Sequence, residues 1–88
     1  MTPLSEPAIS LTVYLRPYCH LCHNLLEGLR PFQACDALHI TTIDIDSDPA
    51  LEARYGEWIP VLCGADGQEI CHHFLDERAL TAYLAKIR

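Results

Sequence analysis

At 88 residues, half of them apolar, the chain has room for one small domain, which excludes large multidomain enzyme scaffolds. Six basic against twelve acidic side chains leave a formal charge of -6, which argues against nucleic acid or an anionic membrane as the main partner. Five cysteines are too few for a disulfide scaffold, and their odd number leaves at least one thiol unpaired in any intramolecular scheme.

Met1–Ile9 contains Pro3, Glu6 and Pro7 and reads as a loose leader (1-9) ahead of a single domain (10-88). It lacks the basic start and apolar run of a secretory signal, and no stretch approaches the roughly 18 apolar residues of a membrane span. A cytoplasmic protein is therefore expected. Ser10–Arg16 partly alternates, with Leu11, Val13 and Leu15 on one side, and predicts a strand that Pro17 stops. From His20 to Arg30, Leu21, Leu25, Leu26 and Leu29 recur at helical spacing. Pro31 is expected to end or kink that helix, because it pushes residue 30 away from α geometry.

Leu38–Ile45 is rich in β-branched residues and predicts a second strand. Asp48 followed by Pro49 is a helix-start signal for a short helix over Ala50–Tyr55, closed by Gly56. Val61–Cys63 is a short apolar strand. Ala65-Asp66-Gly67 predicts a turn into a hairpin partner, Glu69–His73. Asp76 then caps a last helix with Leu80, Tyr83, Leu84 and Ile87 on one face. The order β-α-β-α-β-β-α begins with a right-handed parallel crossover and ends in an antiparallel hairpin. It predicts one four-stranded mixed sheet, in the order 2-1-3-4, with helices on both faces. That is the element order of an α/β, thioredoxin-like fold in minimal form.

The chemistry concentrates in Cys19-His20-Leu21-Cys22, between the first strand and the first helix. A helix start presents unpaired N–H groups and the positive end of the macrodipole, and both favour a thiolate at Cys19. Such contexts lower a thiol pKa from about 8.5 to about 3.5–7.5. Cys22 falls one turn on, on the same face, where its sulfur can close a disulfide with Cys19. Cys19 is expected to be the exposed attacker and Cys22 the buried resolver in thiol–disulfide exchange. His20, when protonated, would add positive charge beside the pair.

The same residues have other readings. Cys19-His20-Leu21-Cys22-His23 has the c-type haem attachment pattern, but Met1 is the only methionine and the strand pattern suits no small helical cytochrome. A zinc or iron–sulfur site could join Cys19 and Cys22 to Cys71, His72 or His73. Those three alternate along one predicted strand, however, and cannot all face one site. A redox-inert interaction domain is the remaining alternative. Cys63 and Cys71 read as buried small residues, Cys35 as a stray exposed thiol, and Trp58 as either core or a lip beside the pair. Asp44, Asp46 and Asp48 lack the Gly and terminal Glu of a calcium loop and read as helix-entry caps. Residues 44–88 hold nine acidic and four basic side chains, so most of the negative charge lies beyond the cysteine helix.

Arg16-Pro17-Tyr18-Cys19-His20-Leu21-Cys22, Asp44-Ile45-Asp46-Ser47-Asp48-Pro49, Tyr55-Gly56 and Ile59-Pro60-Val61 together resemble the glutaredoxin-like proteins. The nearest likeness is to the small bacterial glutaredoxin-like family of unassigned function, over about residues 11 to 87. On its own, Ile59-Pro60 reads as a strand-start proline with the commoner trans bond. The resemblance instead implies a cis Pro60 packed against Cys19 and Cys22, with the Ile59 backbone offering an edge to a disulfide substrate. It also implies Cys19 as nucleophile and Cys22 as resolver, and makes Tyr18, Trp58, Ile59 and Pro60 the candidate substrate-binding residues. Arg16 stands where glutaredoxins usually carry a lysine, placed to pair with a glutathione carboxylate or to favour the Cys19 thiolate. The implied substrates are protein or glutathione-linked disulfides, handled by a monomer with no resident cofactor. Three features depart from the family. His20-Leu21 replaces Pro-Tyr between the cysteines, Trp58 stands where a Thr is usual, and His73-Phe74-Leu75-Asp76 replaces the paired glycines that admit glutathione. The last departure counts against glutathione as a co-substrate.

Overall fold

The alternation Ile9, Leu11, Val13, Leu15 lays one face of a strand, β1 (Ile9–Leu15), against the core of the computed structural model, which describes residues 9–87. Ile9 thus belongs to the domain, and the rest of the expected leader lies outside the described residues. The chain continues through α1 (His20–Asp36), β2 (Leu38–Asp44), a 3-10 turn (Ile45–Ser47), α2 (Pro49–Tyr55), β3 (Val61–Cys63), β4 (Glu69–His72) and α3 (Glu77–Ile87). The sheet order is β2-β1-β3-β4. β1 runs parallel to β2 and antiparallel to β3, and β4 is antiparallel to β3.

Alternation divides the sheet into two unlike faces. Leu11, Val13 and Leu15 of β1 join Leu62 and Cys71 of the hairpin, and this face packs against Leu25 and Leu29 of α1 and Leu80 and Leu84 of α3. The opposite face carries Tyr14, whose ring stacks on Tyr55 of α2 with centroids 4.2 Å apart. Tyr14 lies level with Ile43, Val61 is opposite Tyr14, and His72 is opposite Val61. Leu15, Val61 and His72 therefore deliver their adjoining loops to one edge of the sheet. That edge holds the start of α1.

Several boundaries differ from the sequence expectation. α1 does not stop at Pro31 but runs to Asp36. Proline removes the N–H that would reach the Glu27 carbonyl. The next residue, Phe32, packs against the core and holds the extra turns in place. The helix ends where Ala37 turns left-handed at φ 55, and its carbonyl accepts from the Ile9 N–H at 3.3 Å. β2 ends at Asp44, because the Asp44 carboxylate accepts from the Asp46 N–H at 2.9 Å and turns the chain. Asp48 caps α2 as expected, accepting from the Ala50 N–H at 2.9 Å.

Gly56 closes α2 without a left-handed turn. A Cβ there would lie 2.6 Å from the Glu52 carbonyl oxygen, so the residue is needed for close approach. Ile87 is 44 % exposed and lies off the buried face of α3. No described helix is long and apolar enough to cross a membrane.

Leu29 is fully buried at the contact of α1 with the sheet. Leu29→Ala is expected to lower unfolding free energy by about 2–5 kcal/mol. Ile87→Ala should stay within about 0.5 kcal/mol of the parent, both read by urea denaturation.

Candidate active site

Pro17 cannot extend β1, and the chain folds into a tight turn in which the Cys19 N–H donates to the Arg16 carbonyl at 3.2 Å. Cys19 is the N-cap of α1, with extended backbone at φ -94 and ψ 118. Its carbonyl accepts from the His23 N–H at 3.1 Å, and its Sγ accepts from the Cys22 N–H at 3.2 Å. The sulfur takes the place that a Ser or Asp oxygen holds at other helix starts. Cys19 is half-buried, while Cys22 is fully buried in the core. Burial is the main cause pushing the Cys22 thiol up to about 12, and its hydrogen bond to Cys19 adds to this. A backbone hydrogen bond with Arg16 and the Arg16 charge act in the opposite direction. Two sulfurs one turn apart thus differ in access, and the inner one holds its proton at neutral pH.

Arg16 does not stand free. Its Nε donates to Asp46 at 3.0 Å and its Nη2 to Glu52 at 2.9 Å, and these bonds raise its already high pKa. Asp46 also accepts from the Tyr18 hydroxyl at 3.4 Å. One cluster therefore links the turn before Cys19 to the 3-10 segment and to α2. Tyr18 is 77 % exposed, and His20 is exposed at the first position of α1. The His23 ring, considered from sequence only as a haem ligand, instead bonds the Pro17 carbonyl through Nε2 at 2.8 Å. Asp46 and His23 were missed as site residues because their partners lie across loops that only the fold brings back.

The Ile59–Pro60 peptide bond is cis, and Pro60 is buried. The Ile59 N–H is already spent on the Tyr55 carbonyl at 3.1 Å, so it is not free to donate to another chain. The Pro60 carbonyl accepts from the His73 N–H at 2.8 Å. Trp58 is not core: it is 47 % exposed, and it meets His72 edge-on at 5.1 Å and His73 near-parallel at 6.0 Å.

The strand alternation expected for Cys71, His72 and His73 stops at His72. His73 adopts φ 66, and its ring lies 4.9 Å from that of His72. His73 Nε2 bonds the Glu57 carbonyl at 2.9 Å. A cleft of about 340 Å³ lies beside Trp58, bounded also by Tyr55, Cys63 and His72; Cys19 and Cys22 do not line it.

Cys63 and Cys71 are buried and Cys35 is exposed on α1, as the sequence suggests. Register sets Cys71 opposite Leu62 and Cys63 opposite Glu69, so the two are not cross-strand partners. Among the described residues, no group of three His, Cys, Asp or Glu side chains is arranged to hold a metal ion.

A four-stranded mixed sheet with a Cys-x-x-Cys at the start of its first helix defines a thioredoxin-type α/β domain. Residues 10–85 match the family described as Glutaredoxin-like domain (DUF836), and the chain belongs to that family. It is 36 % identical to a protein of Nitrosomonas europaea solved by NMR, covering 94 % of this chain and 98 % of that one at a TM-score of 0.79. An X-ray structure of an X. campestris protein is 39 % identical, with 86 % and 96 % covered and a TM-score of 0.70. The thioredoxin of Fasciola hepatica, 16 % identical with 92 % and 82 % covered and a TM-score of 0.60, shares the fold. No curated protein matches the chain.

Brief iodoacetamide treatment of the folded, reduced protein near neutral pH should label Cys19 and Cys35 and spare Cys22, Cys63 and Cys71, read by peptide mass mapping. Labelling of Cys22 before Cys19 would reverse the assignment of the accessible sulfur. A second expectation concerns alkaline pH. Burial raises the pKa of Cys22, Cys63 and Cys71 above the ordinary 9.0. Above that value the unfolded chain releases these protons while the folded one keeps them, so stability is full below it and falls as pH rises toward the folded values. Urea midpoints should decline through this range, and Cys71→Ala should make the decline shallower.

Proposed function

We propose that the protein is a thiol–disulfide oxidoreductase acting through Cys19 and Cys22 on protein or glutathione-linked disulfides. The observation that carries this reading is the asymmetry of the pair: a half-exposed Cys19 sulfur at a helix start, with a fully buried Cys22 one turn behind it.

The Cys19 thiolate attacks one sulfur of the substrate disulfide. A mixed disulfide forms, the substrate S–S bond breaks, and the other substrate sulfur leaves as a thiolate that takes up a proton from solvent. Cys22 then loses its proton and attacks Cys19. The Cys19–Cys22 bond forms as the mixed bond breaks, so the substrate gains two electrons and the protein loses two. A low-molecular-weight thiol resets the pair by the reverse exchange.

The order of the two steps follows from the environment of Cys22. While Cys19 is free, its sulfur accepts the Cys22 hydrogen bond and its charge opposes a second thiolate. Once Cys19 is bound in the mixed disulfide its negative charge is gone, while the burial that chiefly holds the proton on Cys22 remains. His20 and Arg16 tune the thiolate in this reading, Arg16 with its charge shared by Asp46 and Glu52. Tyr18, Trp58 and the Ile59 carbonyl form the contact surface for the substrate in this reading, whereas Pro60, expected to share it, is fully buried with its carbonyl bound by the His73 N–H. A metal-carrying role for the same cysteines has no third ligand among the described residues to support it.

Cys22→Ser should trap covalent mixed disulfides through Cys19, and Cys19→Ser should trap none through Cys22, read by non-reducing peptide mass mapping that sets aside adducts on the exposed Cys35. Trapping through Cys22 alone would exchange the two roles, and no trapping by either variant would remove the dithiol mechanism.

A further inference from the structure

The exposed large side chains are not scattered. Tyr18, Trp58 and Phe74 are 77 %, 47 % and 67 % exposed. Tyr18 lies in the loop after β1, Trp58 in the loop before β3 and Phe74 in the loop after β4. Because β3 is antiparallel to both neighbours, these three loops leave the sheet at the same edge, the one that carries Cys19. Two hydrogen bonds tie the Trp58 and Phe74 loops to each other: His73 N–H to the Pro60 carbonyl, and the His73 ring to the Glu57 carbonyl. Three exposed aromatic side chains thus lie on loops at the end of the sheet where α1 begins, and exposed apolar groups grouped in this way mark interaction surfaces.

Charge selects the occupant. Glu57 is the neighbour of Trp58, and Asp76 and Glu77 follow Phe74. Asp46 and Glu52 stand beside the Tyr18 turn. Against these carboxylates stand Arg16, already bound by Asp46 and Glu52, Arg78 beside Phe74, and Arg54, which lines the cleft beside Trp58. The edge is therefore negative around an aromatic centre. Glutathione carries two carboxylates and one ammonium group, and meets unfavourable charge here. A basic polypeptide with an apolar side chain next to its cysteine meets favourable charge and a ring to pack on.

We propose that the preferred substrate of Cys19 is a disulfide held in a basic, partly apolar polypeptide segment, in preference to glutathione disulfide. This rests on the dithiol reading above. The exchange is the one already balanced, with the polypeptide disulfide reduced and the Cys19–Cys22 pair oxidised.

The test uses the Cys22→Ser protein and two disulfide-linked peptides that share a Cys-Phe centre and differ only in flanking Lys or Glu. A neutral dipyridyl disulfide serves as an uncharged reference. The Lys peptide is expected to form the mixed disulfide about 10-fold or more faster than the Glu peptide or glutathione disulfide at low salt, with the advantage shrinking as salt is added. Glu57→Gln combined with Glu77→Gln should reduce that advantage. Phe74→Ser should slow the Lys peptide relative to the dipyridyl reference. If the reference reacts with Cys19 but the peptides show no charge preference, or the Glu peptide is faster, the proposal is overturned and the dithiol reading stands. If the reference itself fails to react with Cys19, both fall.

Discussion

The hydrogen bond from the Cys22 N–H to the Cys19 sulfur is the contact on which the site depends. It exists because Cys19 occupies the N-cap, where a helix leaves its first N–H groups without partners. In satisfying one of them, the sulfur is held at the surface of the domain while the next turn carries Cys22 inward. The two cysteines share a helix face, yet one meets solvent and the other meets Leu25, Leu29 and the sheet. The chemical difference between them is thus a packing difference, imposed by the burial of α1.

Around this contact the loops are fastened rather than left to wander. His23 holds the Pro17 carbonyl from within α1. Arg16 ties the turn to the 3-10 segment and α2 through Asp46 and Glu52. His73 does the same on the far side, bonding the carbonyls of both Pro60 and Glu57. Each of these links spends a polar or charged group on positioning. The Arg16 charge in particular is shared by two carboxylates before any substrate arrives, which sets the character of the surrounding surface as acidic.

The two faces of the sheet divide the labour. The face under α1 and α3 holds nearly all of the aliphatic core and anchors the cysteine helix. The other is covered by a seven-residue helix, with Tyr55 laid on Tyr14, and leaves a cleft beside Trp58. A short helix cannot span four strands, so this side stays partly open.

Much of the fold was legible from residue pattern. Alternation in β1, the Asp48-Pro49 helix start, the turn ending at Gly67 and the spacing of leucines in α1 act within a few residues, and such local preferences survive into the folded state. The Cys19–Cys22 pair was legible for the same reason, since a helix start and a three-residue spacing are local facts. Pro31 misled because its cost is local while its compensation, Phe32 in the core, is not. His73 misled because alternation holds only as long as the strand does, and φ 66 ends it. The sequence by itself determined the order of elements, the sheet topology and the placing of two cysteines at a helix start. Only the tertiary structure decided which charges are spent and which aromatic rings meet. Those properties depend on groups brought from 14 to 36 residues apart in the chain, as in Trp58 with His72 and Arg16 with Glu52, and no local preference encodes such meetings.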